Sequence, residues 1–209
     1  MEIRNDEHVF IAGATGSGKT FLITEYLKYP QKNLFILDTK GDLEFKNKNL
    51  VKITKLMDLK ITEIPDEESK EFPLVLLYEP NIHELNEEYY NAFFKFIYEL
   101  KNCTLVVDEV NSVCKNALSI PFYYKSILTR GRSRNTNVFS GSQRPRNIPI
   151  YILSECIHYF VFRLNNINDR KALKDNTGMM EFMVNPVEEH AFHYFNNKTN
   201  VKLIGKLVK

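Results

Sequence analysis

Eight residues near the start of the chain have the spacing of a phosphate-binding loop. The stretch GATGSGKT, residues 13–20, fits the pattern G-x-x-x-x-G-K-T. In such loops the glycines let backbone N–H groups curl around a phosphate, and the following helix points its positive end at that group. We expect Lys19 to contact the β- and γ-phosphates and the Thr20 hydroxyl to bind Mg²⁺. The other predicted nucleotide contacts are Gly13, Ala14, Thr15, Gly16, Ser17, Gly18 and Phe21.

An acidic pair follows an apolar run in the middle of the chain. The run TLVVDEV, residues 104–110, contains Asp108 and Glu109. Asp108 is expected to hold the metal ion through water. A carboxylate directly after it can orient and deprotonate a water for attack on a γ-phosphate. The pair therefore favours ATP hydrolysis, with ATP and Mg²⁺ bound, over phosphoryl transfer to a small molecule.

Short apolar runs alternate with helical patterns along the chain. Strands are predicted at 8–14, 33–39, 73–79, 104–110, 137–143 and 158–164, with a hairpin of two last strands at 191–197 and 201–207. Helices are predicted at 19–28, 85–100, 121–130 and 168–175. Between residues 49 and 73 the sequence supports only a short strand at 50–53 and a solvated loop at 66–71. The alternation predicts an α/β fold whose mostly parallel sheet carries helices on both faces.

Composition sets the broad class of the protein. The 209 residues fit one ATPase domain over 1–209, with a core at about 8–175 and C-terminal strands at about 190–208. Lys and Arg number 28 and Asp and Glu 26, so the net charge of +2 does not by itself indicate nucleic acid. Three cysteines without a CxxC predict a reducing compartment. The apolar runs are too short to cross a membrane, so we expect no transmembrane segment.

Five stretches, in this order along the chain, resemble motifs of the FtsK–HerA superfamily of DNA-pumping ATPases. That group includes cell-division DNA translocases, HerA-type motors, conjugative coupling proteins and the genome-packaging ATPases of membrane-containing icosahedral viruses. The stretches are GATGSGKT, LDTKGDL (37–43), LVVDEV (105–110), TRGRSRNTNVFSGSQRP (129–145) and FRLNNINDRKAL (162–173). The resemblance covers roughly Val9 to Lys174 and implies a RecA-like P-loop NTPase.

The resemblance also implies roles for several residues. Gln143 matches the polar sensor that touches both the γ-phosphate and the attacking water. Arg132 matches an arginine finger that acts in trans on the nucleotide of a neighbouring subunit, with Arg130 and Arg134 as rivals. Asn135 stands where the family usually has glycine, a mild departure because asparagine tolerates left-handed backbone geometry.

The second-strand motif of the superfamily falls on Asp38, Lys40 and Asp42. For Lys40 we predict a structural role or a charge at a subunit interface rather than a catalytic role.

The superfamily forms rings, usually hexamers, that move DNA through a central channel. Arg130, Arg132, Arg134, Arg144 and Arg146 place five positive charges within seventeen residues, which suits the phosphates of ATP or DNA. Lys115, Arg144 and Arg146 are the predicted DNA contacts. Contact to the backbone would make binding to double-stranded DNA independent of sequence.

The size of the chain separates the subgroups. Coupling proteins carry membrane helices, HerA-type motors an N-terminal barrel and cell-division translocases a DNA-reading winged helix. The sequence thus favours a viral genome-packaging ATPase that acts at a capsid vertex through a membrane partner, in the host cytoplasm or associated with the virion.

Two alternatives to packaging stay open within the motor class. They are a filamentous-phage (Zot-like) extrusion ATPase and a HerA-like DNA-processing motor. A third alternative is not a motor: a regulatory or scaffold protein that binds ATP but hydrolyses it slowly.

Overall fold

The computed structural model of the protein describes residues 3–59, 64, 68–69 and 72–207. The strands are β1 (His8–Ala12), β2 (Asn33–Leu37), β3 (Leu50–Ile53), β4 (Val75–Tyr78), β5 (Cys103–Val107), β6 (Asn137–Ser142), β7 (Cys156–Phe162), β8 (Ala191–Asn196) and β9 (Val201–Lys206). The helices are α1 (Lys19–Tyr26), α2 (Glu87–Leu100), α3 (Val110–Val113), α4 (Phe122–Arg130), α5 (Ile150–Ser154) and α6 (Ile167–Thr177).

The nine strands form one sheet in the order β3-β4-β2-β5-β6-β1-β7-β8-β9. All pairings from β3 to β7 are parallel, and β7–β8 and β8–β9 are antiparallel. The C-terminal hairpin is therefore an extension of the sheet beyond β7. The predicted α/β fold class and the predicted hairpin are both confirmed.

The central strands are apolar on both faces because each face is covered. Along β2, Phe35 and Leu37 belong to one apolar cluster, and Leu34 and Ile36 belong to another. This alternation is the period of two that strand geometry imposes. The first cluster includes the buried side of α2, and the second includes Ile23 of α1, so the helices lie on opposite faces of the sheet.

Helix α2 shows how the sequence sets an element boundary. Asn86 precedes the helix, and its side chain accepts hydrogen bonds from the N–H groups of Glu88 and Tyr89 at 3.1 and 3.4 Å. This N-cap satisfies two donors that the first turn leaves unpaired. The buried side of the helix consists of Tyr90, Phe93, Phe94 and Ile97.

The structure differs most from the predicted elements after β5 and before β7. The predicted strand at 104–110 ends at Val107, and Val110–Val113 forms the short helix α3 instead. Asp108 and Glu109 thus leave the strand, and Gly141 packs so closely that an added Cβ would stand 2.2 Å from the Asp108 carbonyl oxygen. Helix α5, which begins after Pro149, was not predicted. The strand at 50–53 is present, whereas most of the polar loop predicted at 66–71 lies outside the described residues.

Candidate functional site

The phosphate-binding loop forms backbone hydrogen bonds at the carboxyl ends of β6 and β7. Gly13 N–H donates to the Ser142 carbonyl at 3.1 Å, and Ala14 N–H donates to the Arg163 carbonyl at 2.8 Å. Gly18 has φ 113°, a conformation that favours glycine, and α1 begins at the next residue. The predicted context of strand, loop and helix is therefore present.

Lys19 lies folded over this loop. Its ammonium donates to the carbonyl oxygens of Gly13 at 2.8 Å and Ala14 at 3.2 Å, and the residue is buried. Burial lowers the pKa of Lys19, while the nearby carboxylate of Asp108 acts in the opposite direction. An anion in the loop would favour the charged form of this lysine.

Thr20 and Asp108 come together across 88 residues of sequence. The Thr20 hydroxyl donates to Asp108 Oδ1 at 3.4 Å. Burial raises the pKa of Asp108, and Lys19 opposes this rise. A hydroxyl and one carboxylate are a donor set that fits Mg²⁺, which usually keeps several waters and takes one or two protein oxygens together with phosphate. These two residues would hold the ion.

Both carboxylate oxygens of Glu109 have partners. Glu109 Oε2 lies 2.9 Å from the Lys40 ammonium, and Glu109 Oε1 accepts a hydrogen bond from Gln143 N–H at 3.3 Å. The Glu109 side chain is only 6% exposed. Lys40 therefore contacts the predicted general base, a contact that the predicted structural or interface role did not specify.

Asp38 fixes the loop that carries Lys40. Its buried carboxylate accepts hydrogen bonds from the N–H groups of Lys40 at 3.0 Å, Gly41 at 2.9 Å and Leu43 at 2.9 Å. Asp38 thus shapes the turn from which the Lys40 ammonium contacts Glu109.

Gln143 lies directly after β6 and faces the phosphate loop. Its side-chain oxygen accepts a hydrogen bond from the Thr15 hydroxyl at 3.0 Å. The predicted sensor and the predicted nucleotide loop are therefore in contact. With Lys19, Thr20, Asp108 and Glu109, the predicted general base, sensor, metal and phosphate residues converge at one edge of the sheet.

The predicted arginine finger lies elsewhere. Arg132 and its rivals precede β6, whereas Gln143 follows it. Strand β6 lies between them, and its six residues correspond to about 20 Å of extended chain. The arginines thus lie near the opposite end of the sheet from the loop of the same chain.

The three arginines differ in their contacts. Arg134 donates from Nε to the Tyr98 carbonyl at 2.8 Å and stacks on the Tyr98 ring, and Arg130 lies 3.5 Å from the Tyr98 hydroxyl. Arg132 pairs with Asp6 at 3.4 Å, and its side chain is 78% exposed. Asn135 has φ 50°, so it adopts the left-handed geometry expected where the family has glycine.

The predicted DNA contacts have acidic partners on two different helices. The exposed ammonium of Lys115 pairs with Glu87 at 3.0 Å. Arg144 lies 3.6 Å from Asp169, and the Arg146 N–H donates to the same carboxylate at 3.2 Å. Within the described ranges, no helix is long and apolar enough to cross a membrane.

Two residues beside the loop were not predicted. His190 Nδ1 lies 3.3 Å from the Ser17 carbonyl oxygen, and Leu207 covers Gly18. Both come from the C-terminal hairpin, which lies outside the motifs of the resemblance. No local signal marked them, because their position depends on the antiparallel pairing of β8 and β9.

Solved structures share this fold, although neither a protein-family model nor a curated protein matches the sequence. The genome-packaging NTPase B204 from Sulfolobus turreted icosahedral virus 2, in complex with AMPPCP, superposes with a TM-score of 0.77 at 15% identity. The match covers 99% of this chain and 100% of that chain.

Larger ATPases contain the same fold as a part. The pCW3 conjugation coupling protein TcpA with ATPγS matches with a TM-score of 0.61 at 16% identity, over 94% of this chain and 59% of that one. EccC of Thermomonospora curvata (ATPases 2 and 3) matches with a TM-score of 0.62 at 14% identity, over 100% of this chain and 38% of that one. Packaging ATPases and coupling proteins are two groups named by the resemblance, which is thus confirmed at the level of fold.

Proposed function

We propose that this chain is an ATPase that couples ATP hydrolysis to the movement of double-stranded DNA, and that the DNA enters a viral capsid. One observation carries the ATPase assignment: Glu109 lies at the same sheet edge as the Thr20–Asp108 pair, with Gln143 beside it. A phosphate-binding loop, a metal site and a buried general base are the parts that ATP hydrolysis needs.

The residues divide the chemical work in this proposal. The loop N–H groups and Lys19 bind the β- and γ-phosphates, and Thr20 and Asp108 hold Mg²⁺, whose charge offsets that of the phosphates. Glu109 accepts the proton of the attacking water, which then forms a bond to the γ-phosphorus while the bond to ADP breaks. Gln143, once released from Thr15, reports the state of the γ-phosphate.

The position of Arg132 supports the assembly part of the proposal. An exposed guanidinium near the far end of the sheet cannot serve the loop of its own chain, but it can serve a second copy. We therefore propose a ring, hexameric in the pattern of the superfamily, in which Arg132 completes the site of its neighbour. Arg130 and Arg134 are held against Tyr98 and are weaker candidates.

The packaging part of the proposal is supported by the match to B204 over nearly the whole length of both chains. We propose that the protein acts in the host cytoplasm or at a virion vertex, with a capsid or membrane protein as partner. Lys115, Arg144 and Arg146 would contact the DNA backbone without reading its sequence.

The test is ATP turnover with and without long double-stranded DNA, at low and at physiological salt. We expect DNA of any sequence to stimulate turnover, and the stimulation to weaken as salt rises, because phosphate contacts release counterions. Glu109→Gln is the control for contaminating ATPases. Turnover that ignores DNA would refute the motor, and absence of turnover in the wild-type protein would favour an ATP-binding scaffold.

A further inference from the structure

The C-terminal hairpin brings two distant residues to the phosphate loop. Strand β8 begins at Ala191 and β9 ends at Lys206, and these two residues are directly paired. Their neighbours His190 and Leu207 are joined by a hydrogen bond from Leu207 N–H to the His190 carbonyl at 3.2 Å. Because β8 runs antiparallel to β7, the start of β8 lies at the sheet edge where β7 ends and the loop begins.

His190 is held against the loop in a constrained conformation. Its φ is 58°, which is uncommon for a residue with a side chain, and its ring is 20% exposed. Ring atom Nδ1 lies 3.3 Å from the Ser17 carbonyl oxygen, which can only accept. In the neutral ring Nδ1 therefore carries the hydrogen and Nε2 is an acceptor. Nε2 lies 3.7 Å from Glu189 Oε1, beyond normal hydrogen-bond length.

Leu207 approaches the loop at Gly18. A Cβ added to Gly18 would stand 2.8 Å from Leu207 Cδ1 and 3.6 Å from His190 Nδ1. The hairpin thus packs directly on the loop, and a Cβ at position 18 would displace the Leu207 side chain.

An open cavity of about 220 Å³ lies between the loop and the hairpin. It is lined by Gly16, Gly18, Lys19, Thr20, Phe21, His190 and Leu207. A second cavity, of about 440 Å³, adjoins the loop on the side of Ala14 and also includes His190 in its wall.

The residues that line the smaller cavity are of two chemical kinds. Those of the phosphate-binding loop carry backbone N–H groups and the Lys19 ammonium, which suit phosphate. Phe21, His190 and Leu207 add a phenyl ring, an imidazole and an aliphatic side chain, which suit the flat face of a base and the ribose beside it. The acceptor at His190 Nε2 suits a donor such as a ribose hydroxyl or an exocyclic amine.

We infer that the hairpin forms the nucleoside half of the nucleotide site, where His190 and Leu207, together with Phe21, hold the ribose and base of ATP. This inference rests on the proposed function, in which the loop binds the phosphates of ATP. It gives the two C-terminal strands a binding role in addition to extending the sheet.

The test compares binding of the whole nucleotide with binding of a phosphate chain that has no nucleoside. Titration calorimetry would measure the affinity of ATP and of inorganic tripolyphosphate, both with Mg²⁺, for the wild-type chain, His190→Asn and Leu207→Ala. Asparagine tolerates the left-handed backbone at position 190, so the loop geometry is retained. We expect each variant to weaken ATP binding by about tenfold, the loss of one well-packed contact, and to leave tripolyphosphate affinity unchanged.

His193→Asn is the matched control. His193 lies on the same hairpin, but its Nε2 contacts the Val184 carbonyl at 3.0 Å instead of the loop. This variant should bind both ligands as the wild type does. The inference is overturned if ATP affinity is unchanged in His190→Asn and Leu207→Ala, or if both ligands weaken equally. A wild-type chain that binds no ATP would refute the proposed function itself, and the inference with it.

Discussion

The charged side chains at the two ends of the parallel strands differ in their exposure to solvent. At the carboxyl end, Lys19, Asp108 and Glu109 are buried, and each contacts another group of the site. At the amino end, Arg132 is largely exposed and pairs only with Asp6 among the described residues. Burial acts against these charges, since it lowers the pKa of Lys19 and raises that of Asp108, and their partners within the site oppose this only in part. At the amino end the Arg132 guanidinium is exposed to solvent, where a second molecule can contact it.

This difference in exposure suggests different roles for the two ends. In the proposed function, the carboxyl end binds ATP and activates water within one chain. The exposed Arg132 at the amino end would serve the site of another copy. The experiments below test the two ends separately, in order of expected effect.

Removal of the loop lysine should have the largest effect. Lys19→Ala should reduce ATP affinity at least 100-fold, because no other described ammonium contacts the loop. Titration of ATP into the variant measures this loss. Lys28→Ala is the control, since Lys28 follows the same helix, is exposed and pairs with Glu25 at 3.8 Å. Equal affinities in the two variants would contradict the assignment of the loop.

Glu109→Gln should separate binding from chemistry at the carboxyl end. The amide cannot accept the proton of the attacking water, so turnover should fall by about 10⁴-fold while ATP still binds. Steady-state turnover and equilibrium titration on the same preparation give both numbers. A variant with full turnover would show that another group is the base.

Arg132→Ala tests whether the amino end acts across subunits. Alone it should lower turnover by about 10³-fold, the lower range known for arginine fingers. Mixed with Glu109→Gln subunits it should recover activity, because some sites then receive an intact base from one chain and an intact arginine from the other.

The mixing experiment needs two controls. Formation of mixed rings must be shown directly, for example by native mass spectrometry of differently tagged subunits. Arg134→Ala, mixed in the same way, tests the rival held on Tyr98. Mixed rings that hydrolyse no faster than either parent would rule out action of Arg132 in trans.

Lys40→Ala should have a moderate effect at the carboxyl end. Loss of the 2.9 Å ion pair frees the Glu109 carboxylate to rotate, so kcat should fall about tenfold with KM nearly unchanged. Lys40→Arg should retain part of the activity. Lys52→Ala removes an exposed ion pair with Glu79 and should leave kcat unchanged. A rise in KM without a fall in kcat would place Lys40 on the substrate instead.

His8 should make the amino end sensitive to acid. Its Nδ1 accepts from Val138 N–H at 3.0 Å and its Nε2 donates to the Leu128 carbonyl at 2.9 Å, beside the segment that carries the arginines. Burial lowers the pKa of His8 from 6.5 to about 4. The unfolded chain thus binds a proton first, and stability should fall by up to about 3 kcal/mol as pH drops from 6.5 to 4.

Chemical unfolding at several pH values measures this slope. His8→Gln should flatten it within that window, although the variant is less stable throughout. His83→Asn, which changes an exposed histidine, should keep the wild-type slope. An unchanged slope in His8→Gln would show that other groups cause the acid sensitivity.

The sequence predicted the parts that local pattern determines. The motif G-x-x-x-x-G-K-T required a strand before it and a helix after it, and both are present. Two other apolar runs precede Asp108 and Gln143, and both residues contact the loop because parallel strands end at one edge of the sheet. The contact of Lys40 with Glu109, the approach of His190 to Ser17 and the strand order depend on how distant segments pack, and one sequence carries no period or spacing that reports such packing.

The site contacts span long stretches of chain, and this affects how the protein folds. Thr20 and Asp108 are 88 residues apart, Thr15 and Gln143 are 128 apart, and His190 and Ser17 are 173 apart. Contacts of such separation require closure of large loops and form slowly. Nucleotide binding should thus appear late during refolding, after helical circular dichroism has recovered, and a nascent chain should gain it only once its final hairpin has been synthesised.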